Sequence, residues 1–238
     1  MRNADANSTA RVHVQNAGIV LTVRVKNVMS DEDSFWVLYR HDTQPVLHPE
    51  AGKDGQPRQR NSALKYVKQW RVCLDIGSHV GQWTRPLAKR FQSVVCFEPN
   101  PNFRECFDKN IQEKNVLLWP YGLSDHEHKA TQVFNSTVLE KGDGDIECRT
   151  LDSFGLTNVD FVKIDVDGFE LALLNGARET LTKNNPVINI EMKRNKYQPA
   201  HKQSASRQKL VDECDAILRD LGYRFVKHTK SDEVWLKS

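Results

Sequence analysis

Long apolar runs are missing from the 238-residue chain: Ala17–Val23 is followed at once by Arg24 and Lys26, far short of the ~20 residues a membrane span requires. The same stretch lacks the apolar region and small-residue cleavage site of a secretory signal, so a soluble, cytoplasmic protein with no membrane partner is expected. Cysteine is scarce and unpatterned. The five cysteines (Cys73, Cys96, Cys106, Cys148, Cys214) are odd in number and contain no C-x-x-C pair. That argues against a zinc knuckle, a redox dithiol or a disulfide framework and for reduced thiols. None has a base at recognisable spacing, so thiol nucleophilic chemistry is unsupported. With only 12 Gly and 9 Pro and no repeat, collagen-like and low-complexity classes are excluded. An excess of one charge sign is also absent, at 34 basic against 31 acidic residues.

What remains is the composition of an ordinary globular chain, long enough to make a core without staples. Residues 1–60 read as a β-rich N-terminal extension. Val12–Val28 alternates β-branched and polar positions, Phe35–Tyr39 offers another strand, and His48–Arg60 turns polar and loop-like, with Pro49, Gly52, Gly55 and Pro57. From residue 61 short apolar runs alternate with helical patterns. Strands are expected at Val72–Ile76, Ser93–Phe97, Val116–Trp119, Val159–Ile164 and Val187–Ile190. Helices are expected over Gly81–Phe91 and Asn102–Lys114. Near-continuous apolar strands separated by helices predict a parallel sheet covered on both faces. A long amphipathic helix over Ser204–Leu221 and an antiparallel hairpin, Tyr223–Lys227 with Glu233–Lys237, end the chain.

The first of these strands runs into Asp75-Ile76-Gly77-Ser78-His79-Val80-Gly81 and opens a helix. This departs from the dinucleotide turn G-x-G-x-x-G, because an acid precedes the first glycine and His79 replaces the middle one. A carboxylate is a poor neighbour for a pyrophosphate and a good one for a ligand with a cationic end, such as an amino group or a sulfonium. Gly77 is expected to admit the ligand to the backbone, and Gly81 to let the helix pack on the strand. The next strand ends in Phe97-Glu98-Pro99-Asn100-Pro101, where Glu98 is placed to take the hydroxyls of a ribose.

These blocks resemble the FkbM-type S-adenosylmethionine-dependent methyltransferases. The resemblance continues in Gly122-Leu123-Ser124-Asp125, in Thr150–Phe154, in Val162-Lys163-Ile164-Asp165-Val166-Asp167-Gly168-Phe169-Glu170 and in Leu173–Ala177. It covers Trp70 to Met192, with Asp167 standing where the family usually has Glu. It implies a Rossmann-like class I methyltransferase fold, a seven-stranded sheet with its last strand antiparallel. It also implies S-adenosylmethionine as cofactor, held by Asp75, Gly77, Ser78, Gly81, Glu98, Pro99 and Asp165, with Ser124 and Asp125 beside the adenine. The family implies methylation of hydroxyl oxygens, often on sugars or secondary metabolites.

Methyl transfer to a hydroxyl requires alignment and a group to take the proton. Asp165, at the end of the fourth strand, is the first choice. Glu191 and Lys193 should emerge on one side of the fifth strand's end by alternation, near the substrate mouth. Glu170 reads equally as a catalytic acid and as a stabiliser of its own helix terminus. His79 reads as a hydrogen-bonding turn residue, His126 and His128 as surface, and Trp83 and Trp119 as core. Asp165-x-Asp167-Gly168 lacks the remaining ligands of a calcium loop, so no metal is assigned. Neither an Asn/Asp-Pro-Pro-aromatic run nor a Pro-Cys pair follows the fourth strand, which favours oxygen over a nucleobase amine or carbon as acceptor. Lys53–Arg71 holds six basic residues against one acid, and Lys193–Lys209 six against none. If these flank the cleft, the small-molecule or glycan acceptor is anionic. Ribose 2′-O-methylation of RNA is the alternative, since Asp165 and Lys193 match two members of a Lys-Asp-Lys-Glu set. A non-catalytic cofactor-binding partner subunit is the third reading.

Overall fold

The computed structural model describes residues 35–37, 45–48, 56–132, 139–141 and 144–238; the strands expected over Val12–Val28 lie outside them. Two short strands, β1 (Phe35–Val37) and β2 (Val46–His48), pair antiparallel. Then come α1 (Pro57–Leu64), β3 (Val72–Ile76), α2 (Thr84–Ala88), β4 (Ser93–Phe97), α3 (Pro101–Asn110) and β5 (Val116–Trp119). Four short strands follow: β6 (Gly122–Leu123), β7 (His128–Gln132), β8 (Leu139–Lys141) and β9 (Ile146–Arg149). The chain continues through β10 (Val159–Ile164), α4 (Glu170–Asn175), α5 (Arg178–Asn184) and β11 (Val187–Glu191). It ends with α6 (Ala205–Asp220), β12 (Tyr223–Thr229) and β13 (Asp232–Lys237).

The central sheet has seven strands in the order β12-β13-β11-β10-β3-β4-β5. Strands β11, β10, β3, β4 and β5 are mutually parallel, while β13 lies antiparallel to β11. This is the doubly covered parallel sheet that the apolar runs predicted, with the antiparallel last strand that the family resemblance implied. Alternation along each strand divides the core in two. Leu74, Ile76, Val162, Ile164, Ile188 and Ile190 pack beneath α4, α5 and α6. Cys73, Val94, Cys96, Phe161 and Val187 pack on the other face with Leu64, Trp83, Leu87 and Phe107. Parallel register then has a consequence for charge. Lys163 lies opposite Asp75 on one side and Asn189 on the other, so three polar side chains form a row on the second face.

Four details differ from the sequence reading. The helix expected over Gly81–Phe91 shrinks to the five residues of α2, since Gly81 turns at φ +93° and Pro86 removes a donor early in the helix. The one expected to reach Lys114 stops at Asn110, where Ile111 turns extended. The loop expected to reach Arg60 ends at Gln56, because Pro57 starts α1, a position whose N–H would be unbonded anyway. Strands β6–β9 form a separate four-stranded sheet, order β6-β9-β7-β8, that no apolar run announced.

Candidate active site and cofactor cavity

In a doubly covered sheet ligands bind beyond the carboxyl ends of the strands. There the turn after β3, the turn after β4 and the turn after β10 meet. A cleft of about 400 Å3 counting its open mouth lies among them, lined by Gly77, Glu98, Pro99, Tyr121, Asp165 and Phe169 together with neighbouring apolar residues. Four of the expected cofactor residues are therefore on its wall. Two aromatic residues also line it: Phe169, from the Val162–Glu170 block, and Tyr121, which carries no motif of its own.

Glu98 is fully buried at the end of β4. Its two oxygens accept the backbone N–H groups of Asn100 and His79, each at 2.9 Å. Burial, against the pull of those N–H groups, pushes the carboxyl up to about 7. The turn is self-reinforcing: Asn100 caps α3 by accepting from Asn102 N at 2.8 Å, and Pro101 supplies the first helical residue. His79 sits in the left-handed region at φ +51° with its ring against Phe103. Burial and the Lys163 charge lower its imidazole to about 4, so it is neutral at physiological pH. Ser78 is buried, and its hydroxyl has no hydrogen-bond partner among the described residues.

Asp75, expected to face a ligand's cationic end, is instead wholly enclosed and faces a cation of the protein itself. Its Oδ2 accepts from Thr84 Oγ1 at 2.7 Å, and its Oδ1 stands 3.6 Å from Lys163 Nζ with no hydrogen bond of its own. Burial holds the Asp75 carboxyl above the usual range despite that ammonium. Lys163 is buried as well, donating to Gly77 O at 3.1 Å and lying 3.5 Å from Asp165 Oδ2. Burial disfavours its charge, but Asp165, Asp75 and Asp232 outweigh burial and hold it above the ordinary lysine value. Lys163 was missed as a site residue. The signal was available: a lysine between Val162 and Ile164 in a buried strand must have a charged partner.

The two glycines serve the protein's own packing. A Cβ on Gly77, whose φ is +76°, would come within 1.8 Å of the Asp165 carbonyl oxygen, so the turn is pressed against the end of β10. A Cβ on Gly81 would meet Ile111 at 2.7 Å, across from α3 and not on the strand. Ser124 is buried, and Asp125 is exposed and paired with His126 at 2.6 Å. Neither lines the cleft. Trp83 is in the core as expected, and Trp119 packs against Phe97 and Phe154.

At the mouth, Asp165 is about one-third exposed. One oxygen each of Asp165, Asp167 and Glu191 lie within 4.8 Å of one another. Lys193 enters this acidic trio, at 2.8 Å from Glu191 and 3.1 Å from Asp167, so Glu191 and Lys193 do meet. Partial burial disfavours the Lys193 charge, but its two carboxylates prevail and keep it protonated, which suits a cation and not a base. Glu191 is raised by burial and by Asp165. Glu170, the first residue of α4, accepts with both oxygens from Gly168 N at 3.1 Å, which ties the preceding turn to the start of the helix.

The model of the methyltransferase FkbM domain matches residues 75–225, almost two-thirds of the sequence. The chain belongs to the FkbM methyltransferase family. Among solved structures it is similar to methyltransferase FkbM from Methylobacillus flagellatus KT, at 18% identity and a TM-score of 0.52, over 74% of this chain and 46% of that one. It thus spans less than half of that relative's length. A SAM dependent methyltransferase from Aquifex aeolicus (13% identity, TM-score 0.47, 75% and 87% covered) also matches. So does a precorrin-6y C5,15-methyltransferase from Geobacter metallireducens GS-15 (15%, 0.46, 75% and 86%). No curated protein matches by sequence. The cofactor is S-adenosylmethionine, and the cleft fits it with a buried acid for hydroxyls and aromatic residues on its wall. No helix among the described residues is long and apolar enough to cross a membrane.

Proposed function

We propose that this FkbM methyltransferase methylates a hydroxyl oxygen of a sugar-containing or other small acceptor. One observation carries the reading: a single solvated carboxylate, Asp165, stands on the wall of the cofactor cleft where acceptor and cofactor would meet. Bound S-adenosylmethionine supplies an electrophilic methyl carbon on a sulfonium, which leaves as a thioether. Glu98 would accept from the ribose hydroxyls. Asp165 would orient the acceptor O–H and take its proton. Lys163 fixes Asp165 from beneath through the 3.5 Å ion pair, while Glu191 and Asp167 hold Lys193 as a fixed cation at the mouth. Five free, buried thiols support a cytoplasmic location.

A second reading, ribose 2′-O-methylation of RNA, is favoured by the gathering of Lys163, Asp165, Glu191 and Lys193 at one mouth.

Calorimetric titration of S-adenosylhomocysteine tests the cofactor site. Folded wild type should bind at micromolar Kd and Glu98→Ala should lose most of that affinity. In a panel of hydroxylated acceptors read by mass spectrometry, Asp165→Asn should keep the affinity and lose transfer by about 10²–10⁴-fold. Absence of binding to folded wild type would end the methyltransferase assignment of this cleft.

A further inference from the structure

A second cavity opens beside the mouth, about 850 Å3 counting its open side. It is lined by Lys193, His201, Lys202 and Arg207, with Gln203 and Ser204, and no carboxylate is among its lining residues. We infer that this cavity seats a phosphate, or a group of like charge and shape, carried by the small acceptor whose hydroxyl reaches Asp165. The inference rests on the methyltransferase reading and adds the class of acceptor to it.

Three features of the chain make the cavity a built site. It sits on a closed loop: Asn195 Oδ1 accepts from Ser204 N at 2.9 Å while Asn195 Nδ2 donates to Ser204 O at 3.0 Å. Inside that loop Gln203 donates to Gln198 O, and Arg207 Nη1 donates to Lys202 O at 2.8 Å, so the lining side chains are held by the backbone they serve. Its charge is unspent, since neither Lys202 nor Arg207 forms an ion pair among the described residues. Arg207 also keeps most of its fork free for bidentate contact with an oxyanion. Helix α6, 16 residues long, begins at this wall with Ser204 as its cap and no acid in its first turn, which adds the positive end of a helix to the same space.

The position relative to the chemistry is set by Lys193. Its ammonium lines the cavity and bonds Glu191 and Asp167, whose oxygens lie within 4.8 Å of one on Asp165. An acceptor anchored beyond Lys193 therefore points its other end toward Asp165. Its lining is local, drawn from Lys193 and residues 198–207 with Lys202 and Arg207 as the unspent cations, which suits one phosphate better than the repeated charges of a polyanion. Of the other basic segment, expected to flank the cleft, Arg60 is buried and Arg71 is tied to Asp160.

The test uses the whole chain saturated with S-adenosylhomocysteine and four probes: inorganic phosphate, ribose 5-phosphate, ribose and a 12-residue RNA. Backbone amides of Gln203, Ser204 and Arg207 should shift saturably with phosphate in heteronuclear NMR. Ribose 5-phosphate should bind at least about tenfold more tightly than ribose. The Lys202→Ala/Arg207→Ala variant should weaken phosphate and ribose 5-phosphate by about tenfold or more while S-adenosylhomocysteine affinity stays within about twofold. Equal binding of ribose and ribose 5-phosphate, or unaltered phosphate affinity in the variant, overturns the inference. Tightest binding to RNA with a steep salt dependence would also overturn it, in favour of an extended nucleic-acid surface. Failure of S-adenosylhomocysteine to bind, with the phosphate response intact, would sink the methyltransferase reading and leave an anion site serving some other reaction.

Discussion

Replacing Lys163 by Met removes the ammonium and keeps the stem, so it isolates what the buried charge does. Lys163 Nζ stands 3.6 Å from Asp75 and 3.5 Å from Asp165, each pair worth about 5 kcal/mol at an effective dielectric of about 20 before desolvation is counted. The two acids do not lose equally. Asp165 is one-third exposed and water replaces its partner, whereas Asp75 is fully enclosed with only Thr84 left to it. Stranding that carboxylate should cost about 3–5 kcal/mol, which at a urea slope of about 2–3 kcal/mol/M lowers the midpoint by about 1–2.5 M. The Asp75 carboxyl already lies above its unfolded value of about 3.9, and loss of the ammonium raises it further. Its cost is then present at alkaline pH and is relieved as pH falls through the raised folded value, so the gap between variant and wild type should narrow as the pH is lowered. Adding Asp75→Asn supplies a neutral side chain of the same shape and should recover more than half of the loss. Equilibrium urea unfolding of wild type, both single variants and the double variant forms the cycle. Additive losses in the double variant, or a deficit independent of pH, would refute the coupling.

Glu98, free at about 7, should be drawn toward ionisation by hydroxyls donated to it. Binding of S-adenosylhomocysteine at pH 6 should then release close to one proton and at pH 8.5 almost none, measured by calorimetry in buffers of different ionisation enthalpy. Gly77→Ala forces a Cβ to within 1.8 Å of a backbone oxygen at positive φ; cofactor binding should vanish and the thermal midpoint fall by several degrees. Arg194 is buried and forked onto Glu233 and Asp215, so Arg194→Met should cost about 3–5 kcal/mol in chemical denaturation, with part recovered by Glu233→Gln.

The sheet was legible because its strands are buried on both faces. Val72–Ile76, Ser93–Phe97 and Val159–Ile164 therefore read as apolar runs without needing a partner to be known. Glu98 and Asp165 were legible because strand ends are marked by proline and glycine. What was hidden depended on register and on neighbours far along the chain. The Asp75–Lys163 pairing joins residues 88 positions apart, and only the β3–β10 register puts them side by side. The small sheet β6–β9 was hidden because its strands are two to five residues long and mostly polar. Helix α1 was hidden because its sequence, PRQRNSAL, is polar and starts with a residue read as a loop marker.

The segment from residue 195 to residue 204 is fastened at both ends. Arg194 clamps its entry to β13 and α6, and the reciprocal Asn195–Ser204 bonds seal its exit. Tyr197 stacks on His228 of β12, but exchanges at the other positions from 196 to 203 should leave the sheet, the cofactor cleft and Asp165 undisturbed. On the proposed function, a laboratory library confined to those seven positions should change which acceptor is taken while the transfer machinery stays unaltered.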